Sequence, residues 1–159
     1  MSDQRIFIKK TGLSEYFGIT VPVNWCLKME DGLSYYSDVK QGITLVGRCI
    51  NLNEIKHLEA ELSAAQHEDY FRFCKTIVAS GVSNSYKDWQ HEYQARQNAP
   101  ANYPQVMFCW SRIWQFDSIG FILECTENHA FEDLIIDWEK IFASVSYFPG
   151  RRKGDSHAL

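Results

Sequence analysis

Cys125 lies four residues before His129. A neighbouring imidazole can draw off a thiol proton and make a nucleophilic thiolate, so this pair is the first place to look for chemistry. The alternation of "SIGFILECT" (118–126) puts Cys125 on one face with Phe121 and Leu123, which predicts a packed thiol instead. His57 and Glu61 are four apart, the spacing of a solvated helix-surface contact. "HEYQA" opens at His91-Glu92 as a zinc-binding helix would, yet no second histidine follows. His67-Glu68-Asp69 reads as a polar break, and "SGVSNS" (80–85) lacks the closing glycine of a nucleophile elbow. Glu124, Glu127, Glu132 and Asp133 gather before the last helix, where negative charge complements the helix dipole; a cation or general-acid site is the second reading. No G-x-G-x-x-G or P-loop occurs. The expectation is a chain with no catalytic residues, no metal and no cofactor.

Aromatic residues carry the stronger signal. Trp110, Trp114 and Phe116 share one face of a strand, with Arg112 among them. Tyr86, Trp89 and Tyr93 form a second stripe, read as one side of a short polar helix behind the capping-box pattern Ser85-x-x-Asp88. The core is the commoner fate of such rings. An unpaired buried guanidinium is costly, however, so Arg112 either stacks on its tryptophans or faces water or a partner. Tryptophan and arginine also dominate interface energetics. The predicted partner-binding set is Trp89, Tyr93, Trp110, Arg112 and Trp114.

The elements that would position these residues follow from periodicity. Period-two stretches at 6–9 and 17–21 read as strands, the second stopped by Pro22, which cannot donate to a ladder. In "FGITVPVNW" (17–25) the Pro-x-x-Trp step reads as a turn that folds Trp25 back over the sheet end. A turn at Asp31-Gly32, a short strand through Leu33 and Tyr35, and a longer strand over 42–52 come next. From Asn53, a candidate N-cap, apolar residues at Ile55, Leu58, Leu62, Ala65, Tyr70, Phe73 and Ile77 predict a helical middle, interrupted near 67–70 and stopped at Gly81. Strands over 105–116 and 118–126 are joined at Asp117-Ser118. A final helix runs through "FEDLIIDWEKIFASVSYF" (131–148). Strands grouped apart from helices predict an α+β fold, a mostly antiparallel sheet covered by helices with a helical insertion in the middle and a C-terminal helix.

The chain has 159 residues, 45% hydrophobic and 14% aromatic, which suits one domain; residues 1–148 are expected to form it, with 149–159 a flexible basic tail. A net charge of −4 gives no general attraction to nucleic acid or an anionic bilayer. The five cysteines are odd in number and lack a C-x-x-C, as in a reducing compartment. No apolar leader opens "MSDQRIFIKK", and no stretch has the length of a membrane span. A soluble cytoplasmic protein is expected.

"FGITVPVNW", "GLSYYSDVKQGITLVGRCINL", and the closing "GFILECT" and "IFASV" resemble the PsbP-like α/β sandwich group, including DcrB-like proteins and Eag-type secretion adaptors. The resemblance covers about residues 15–50 and 105–146; the middle matches only in kind. Where Eag-type adaptors carry a characteristic polar run, this chain has "CLKMEDGLS". The resemblance implies a non-enzymatic scaffold that binds proteins. Together with the missing catalytic set it points to a bacterial toxin-immunity protein that neutralises its effector by direct binding. A secretion adaptor, or a small Cys/His hydrolase or ligand-binding enzyme, stand as alternatives. The expected partner is a protein, with a second copy of the chain also open, and neither nucleic acid nor membrane insertion is expected.

Overall fold

Two antiparallel sheets and two helices make up the computed structural model, which describes residues 2–9, 15–30, 33–65, 69–78, 81 and 85–149. The strands are β1 (Asp3–Lys9), β2 (Tyr16–Pro22), β3 (Cys26–Glu30), β4 (Leu33–Asp38), β5 (Ile43–Ile50), β6 (Phe71–Val78), β7 (Tyr86–Ala95), β8 (Val106–Phe116), β9 (Ile119–Glu127) and β10 (Ser146–Phe148). Helix α1 (Leu52–Ser63) follows β5, and α2 (Trp138–Ala143) precedes β10. A small sheet has the order β1-β2-β10 and a large one the order β3-β4-β5-β9-β8-β7-β6. The α+β class read from the sequence is the class observed.

Alternation decides what lies between the sheets. Phe17, Ile19 and Val21 of β2 face Leu45 of β5, Phe108, Trp110 and Trp114 of β8, and Phe121, Leu123 and Cys125 of β9 in one core. Phe17 stacks on Phe121 at 4.4 Å, and Trp110 on Phe142 of α2 at the same distance. Trp25 reaches this core from the turn after Pro22, its ring 5.7 Å from that of Trp138. Among the described residues, the opposite face of the large sheet is covered by α1. Ile55 of α1 packs there on Ile50, Trp89, Ile113 and Ile122. Gly120 allows this approach, since a Cβ would lie 2.8 Å from Ile50 and 2.9 Å from Ile55. Arg48–Glu54 and Lys87–Glu59 ion pairs hold α1 across the sheet.

Four expectations need correction. The cap of α1 is Asn51, not Asn53, in a full capping box with Glu54, and the helix ends at Ser63. The remainder of the expected helical middle is strand β6, whose "FRFCKTIV" is rich in aromatic and β-branched residues and pairs with β7 through two register shifts. Tyr86, Trp89 and Tyr93 belong to β7 and not to a helix, and Ser85-x-x-Asp88 caps nothing. Asp88 and Glu92 point inward there, so the strand carries charge on the face where alternation normally places apolar groups. Finally, the closing helix is only Trp138–Ala143, capped by Asp137. Glu127 takes the backbone N–H groups of Ile135 and Ile136 and so keeps that segment out of the helix. The Asp31-Gly32 turn, the His67-Glu68 pair and the basic tail from residue 150 lie outside the described residues.

Candidate functional site

Because α1 crosses only part of the large sheet, the rows of side chains beyond it form an open groove of about 400 Å³. Strand register builds its floor. Trp89, Ser111 and Glu124 stand opposite one another on β7, β8 and β9. His91, Cys109 and Thr126 make the next row, and Tyr93 and Met107 the one after. Residues two apart on one strand share a face, so all three rows look out of the same side. Glu61 and Leu62 in the last turn of α1 form one wall. Phe73 of β6 is 39% exposed beside the groove, its ring 5.5 Å from His91 and 6.1 Å from Tyr93.

Hydrogen bonds fix this floor. The Trp89 indole donates to Ser63 Oγ at 3.1 Å. His91 Nε2 lies 3.3 Å from Leu62 O, and a carbonyl can only accept, so Nε2 carries the proton. Nδ1 then accepts from Thr76 Oγ1 at 3.4 Å. Burial lowers the His91 pKa, partly opposed by the Leu62 carbonyl. Burial also pushes the Tyr93 phenol well up, with Cys109 adding to the rise. Ser111 Oγ donates to Glu124 Oε2 at 3.1 Å.

The predicted contact residues divide between the two faces of the sheet. Trp89 and Tyr93, each 5% exposed, shape the groove. Trp110 and Trp114 lie on the other face, inside the core between the sheets. Arg112, beside them, is mostly buried. Its Nε and Nη2 donate to the two Asp88 oxygens at 2.6 and 3.0 Å, and its guanidinium lies 3.8 Å from the Tyr86 ring centre. The Trp110 indole donates to the same Asp88 at 3.1 Å. Trp110 and Trp114 are therefore core residues, and Arg112 is tied to Asp88 beside them.

The carboxylates expected to gather near the last helix are dispersed. Glu124 is in the groove and Glu132 pairs with Lys75, whose pKa is raised chiefly by that hydrogen bond. Glu127 is completely buried. It accepts from His129 Nδ1 at 2.6 Å, Ile135 N at 2.9 Å, Ile136 N at 3.3 Å and the Trp138 indole at 3.0 Å. His129 is thus engaged with Glu127, while Cys125 is sealed in the core with its thiol pKa pushed well up by burial. The structure instead sets Cys109 opposite His91, a pairing that needs β7 to be read as a strand. Both ring nitrogens of His91 are turned to Leu62 and Thr76. Among the described residues no three His, Cys, Asp or Glu side chains are grouped to hold a metal ion, and no helix is long and apolar enough to cross a membrane.

The fold so defined, an α+β pair of antiparallel sheets, is shared with proteins of known structure. The Saccharomyces cerevisiae Ran-binding protein Mog1p superimposes with a TM-score of 0.52 at 8% identity, over 92% of this chain and 95% of that one. LpqN of Mycobacterium tuberculosis, involved in cell envelope biogenesis, superimposes with a TM-score of 0.54 at 14% identity, over 94% and 93%. No protein-family model and no curated protein sequence matches the chain.

Proposed function

We propose that the protein is a non-catalytic module of the PsbP/DcrB-like kind that binds another protein through the groove beside α1, and that it acts in the cytoplasm as a toxin-immunity protein. The observation that carries this reading is the groove itself: an aromatic-floored recess on a sheet face that the chain's own helix leaves open, with exposed Phe73 at its side. Rigid aromatic side chains in a recess are the usual anchors of protein interfaces. The groove's acidic groups, Glu61 and Glu124, suit a basic toxin. Mog1p, which has the same fold, is a Ran-binding protein, so the fold can serve protein recognition.

A secretion adaptor is the second reading, favoured by a separate feature. Edge strand β3 and the turn before it expose Val23, Leu27 and Met29, which suits shelter of an apolar segment by strand addition. Affinity capture with the wild-type chain, run beside Phe73→Ala and Met107→Ala variants of unchanged melting temperature, tests the groove. A protein whose recovery falls at least about tenfold on the variants is the expected result. Equal recovery of every protein by all three chains would overturn the reading. A captured partner that halts growth, and is neutralised by the wild-type chain, marks the immunity role; one that is exported in its company marks the adaptor.

A further inference from the structure

We infer that the groove beside α1 receives the ammonium end of a lysine side chain offered by the partner, an inference that rests on reading the groove as a protein-binding surface. Charge is the first ground. Among the described residues the groove lining includes the carboxylates of Glu61 and Glu124 and no lysine or arginine. Arg48 and Lys87, on the adjacent row beneath α1, are held by Glu54 and Glu59, and Lys28, in the row of Glu124, stands three strands away on β3. Glu61 has His57 on its own helix at 2.8 Å, outside the groove lining. The recess therefore offers negative charge without an internal counterion at Glu124.

The surroundings of Glu124 decide which cation fits. Ser111 donates to Oε2 at 3.1 Å, and among the described residues no hydrogen bond reaches Oε1. One open acceptor suits a point-like ammonium; a guanidinium fork is best matched by both oxygens at once. Trp89, across Ser111 in the same row, and Tyr93, two rows on, supply aromatic surface for a four-carbon stem and for its charge. At about 400 Å³ the groove accommodates such a side chain together with its flanking residues.

The test uses n-butylammonium chloride, the lysine side-chain analogue, and n-butanol, its neutral counterpart, each titrated into the isotopically labelled full chain at constant ionic strength. The readout is the amide resonances of Ser111, Glu124 and Thr126. The expected result is saturable shifts with a Kd about tenfold lower for the ammonium. Glu124→Gln, which keeps shape and removes charge, should abolish that difference and leave n-butanol binding unchanged. Equal affinity for the two probes, or a preference that survives Glu124→Gln, would overturn the lysine assignment while leaving an apolar docking groove. Silence of all three amides towards both probes would overturn the assignment and the groove reading together.

Discussion

The Trp138 indole donates to the Glu127 carboxylate at 3.0 Å, joining the first turn of α2 to the last residue of β9. Three further donors, from His129, Ile135 and Ile136, complete the shell of this wholly buried group. A buried carboxylate is tolerated only when so satisfied, and its removal orphans every donor at once. Glu127→Ala should therefore cost roughly 3–5 kcal/mol in urea unfolding. A cost under about 1 kcal/mol would mean that the 128–137 segment is held by other contacts.

Arg112 and Asp88 form a mostly buried charge pair. Each is bound to the other through two hydrogen bonds, and Trp110 adds a third to Asp88. Breaking such a pair from one side leaves an uncompensated charge, at roughly 3–5 kcal/mol. Arg112→Ala and Asp88→Ala should each be severely destabilising, and the double variant should cost at least about 1 kcal/mol less than the sum of the two. Additive costs in a double-mutant cycle would show the pair to be uncoupled.

Trp25 ends the Pro22-x-x-Trp25 step in the core against Trp138. Trp25→Ala removes a large ring from a packed site and should cost about 3–5 kcal/mol. Unchanged thermal stability would contradict its architectural role.

The legible parts of the fold were those where side-chain chemistry and burial agree. Ile19 and Val21, Leu45, and Phe121, Leu123 and Cys125 alternate as strands should, and all face the core. β7 does not read as a strand because its inward positions carry Asp88 and Glu92, whose partners Arg112 and the Phe131 N–H come from 24 and 39 residues away. No local pattern reports such pairings. The groove is illegible for the same reason, since His91 and Cys109 become neighbours only when residues 86–95 lie extended beside β8. Glu127 reads as a helix-dipole partner because sequence spacing places it near α2 without showing that it points inward. The separation of Trp89 and Tyr93 from Trp110 and Trp114 by the thickness of the sheet depends on register, which sequence alone leaves open.

His91 gives the protein a pH-dependent component of stability. Burial lowers its pKa below the usual 6.5. The unfolded chain then binds a proton that the folded chain resists, so linkage favours unfolding as pH falls below that value. His91→Gln, which retains a donor for the Leu62 carbonyl, should lose less stability than wild type between pH 7 and pH 5. The urea midpoints of both chains at the two pH values measure this, and parallel losses would remove His91 from the acid response.

Thiol chemistry separates the five cysteines by their positions in the sheets. Cys26 and Cys74 are exposed, Cys49 and Cys109 are half-buried, and Cys125 is buried. Reaction requires both access and thiolate, and Cys125 lacks both, since burial also pushes its pKa well up. A disulfide-exchange reagent at pH 8 should modify Cys26 and Cys74 first. Cys109 should follow more slowly from the groove, and Cys125 should react only at the rate of unfolding. Peptide mapping of a quenched time course resolves the order. Labelling of Cys125 as fast as Cys26 in native buffer would mean that β9 opens without global unfolding, which its central place between β5 and β8 argues against.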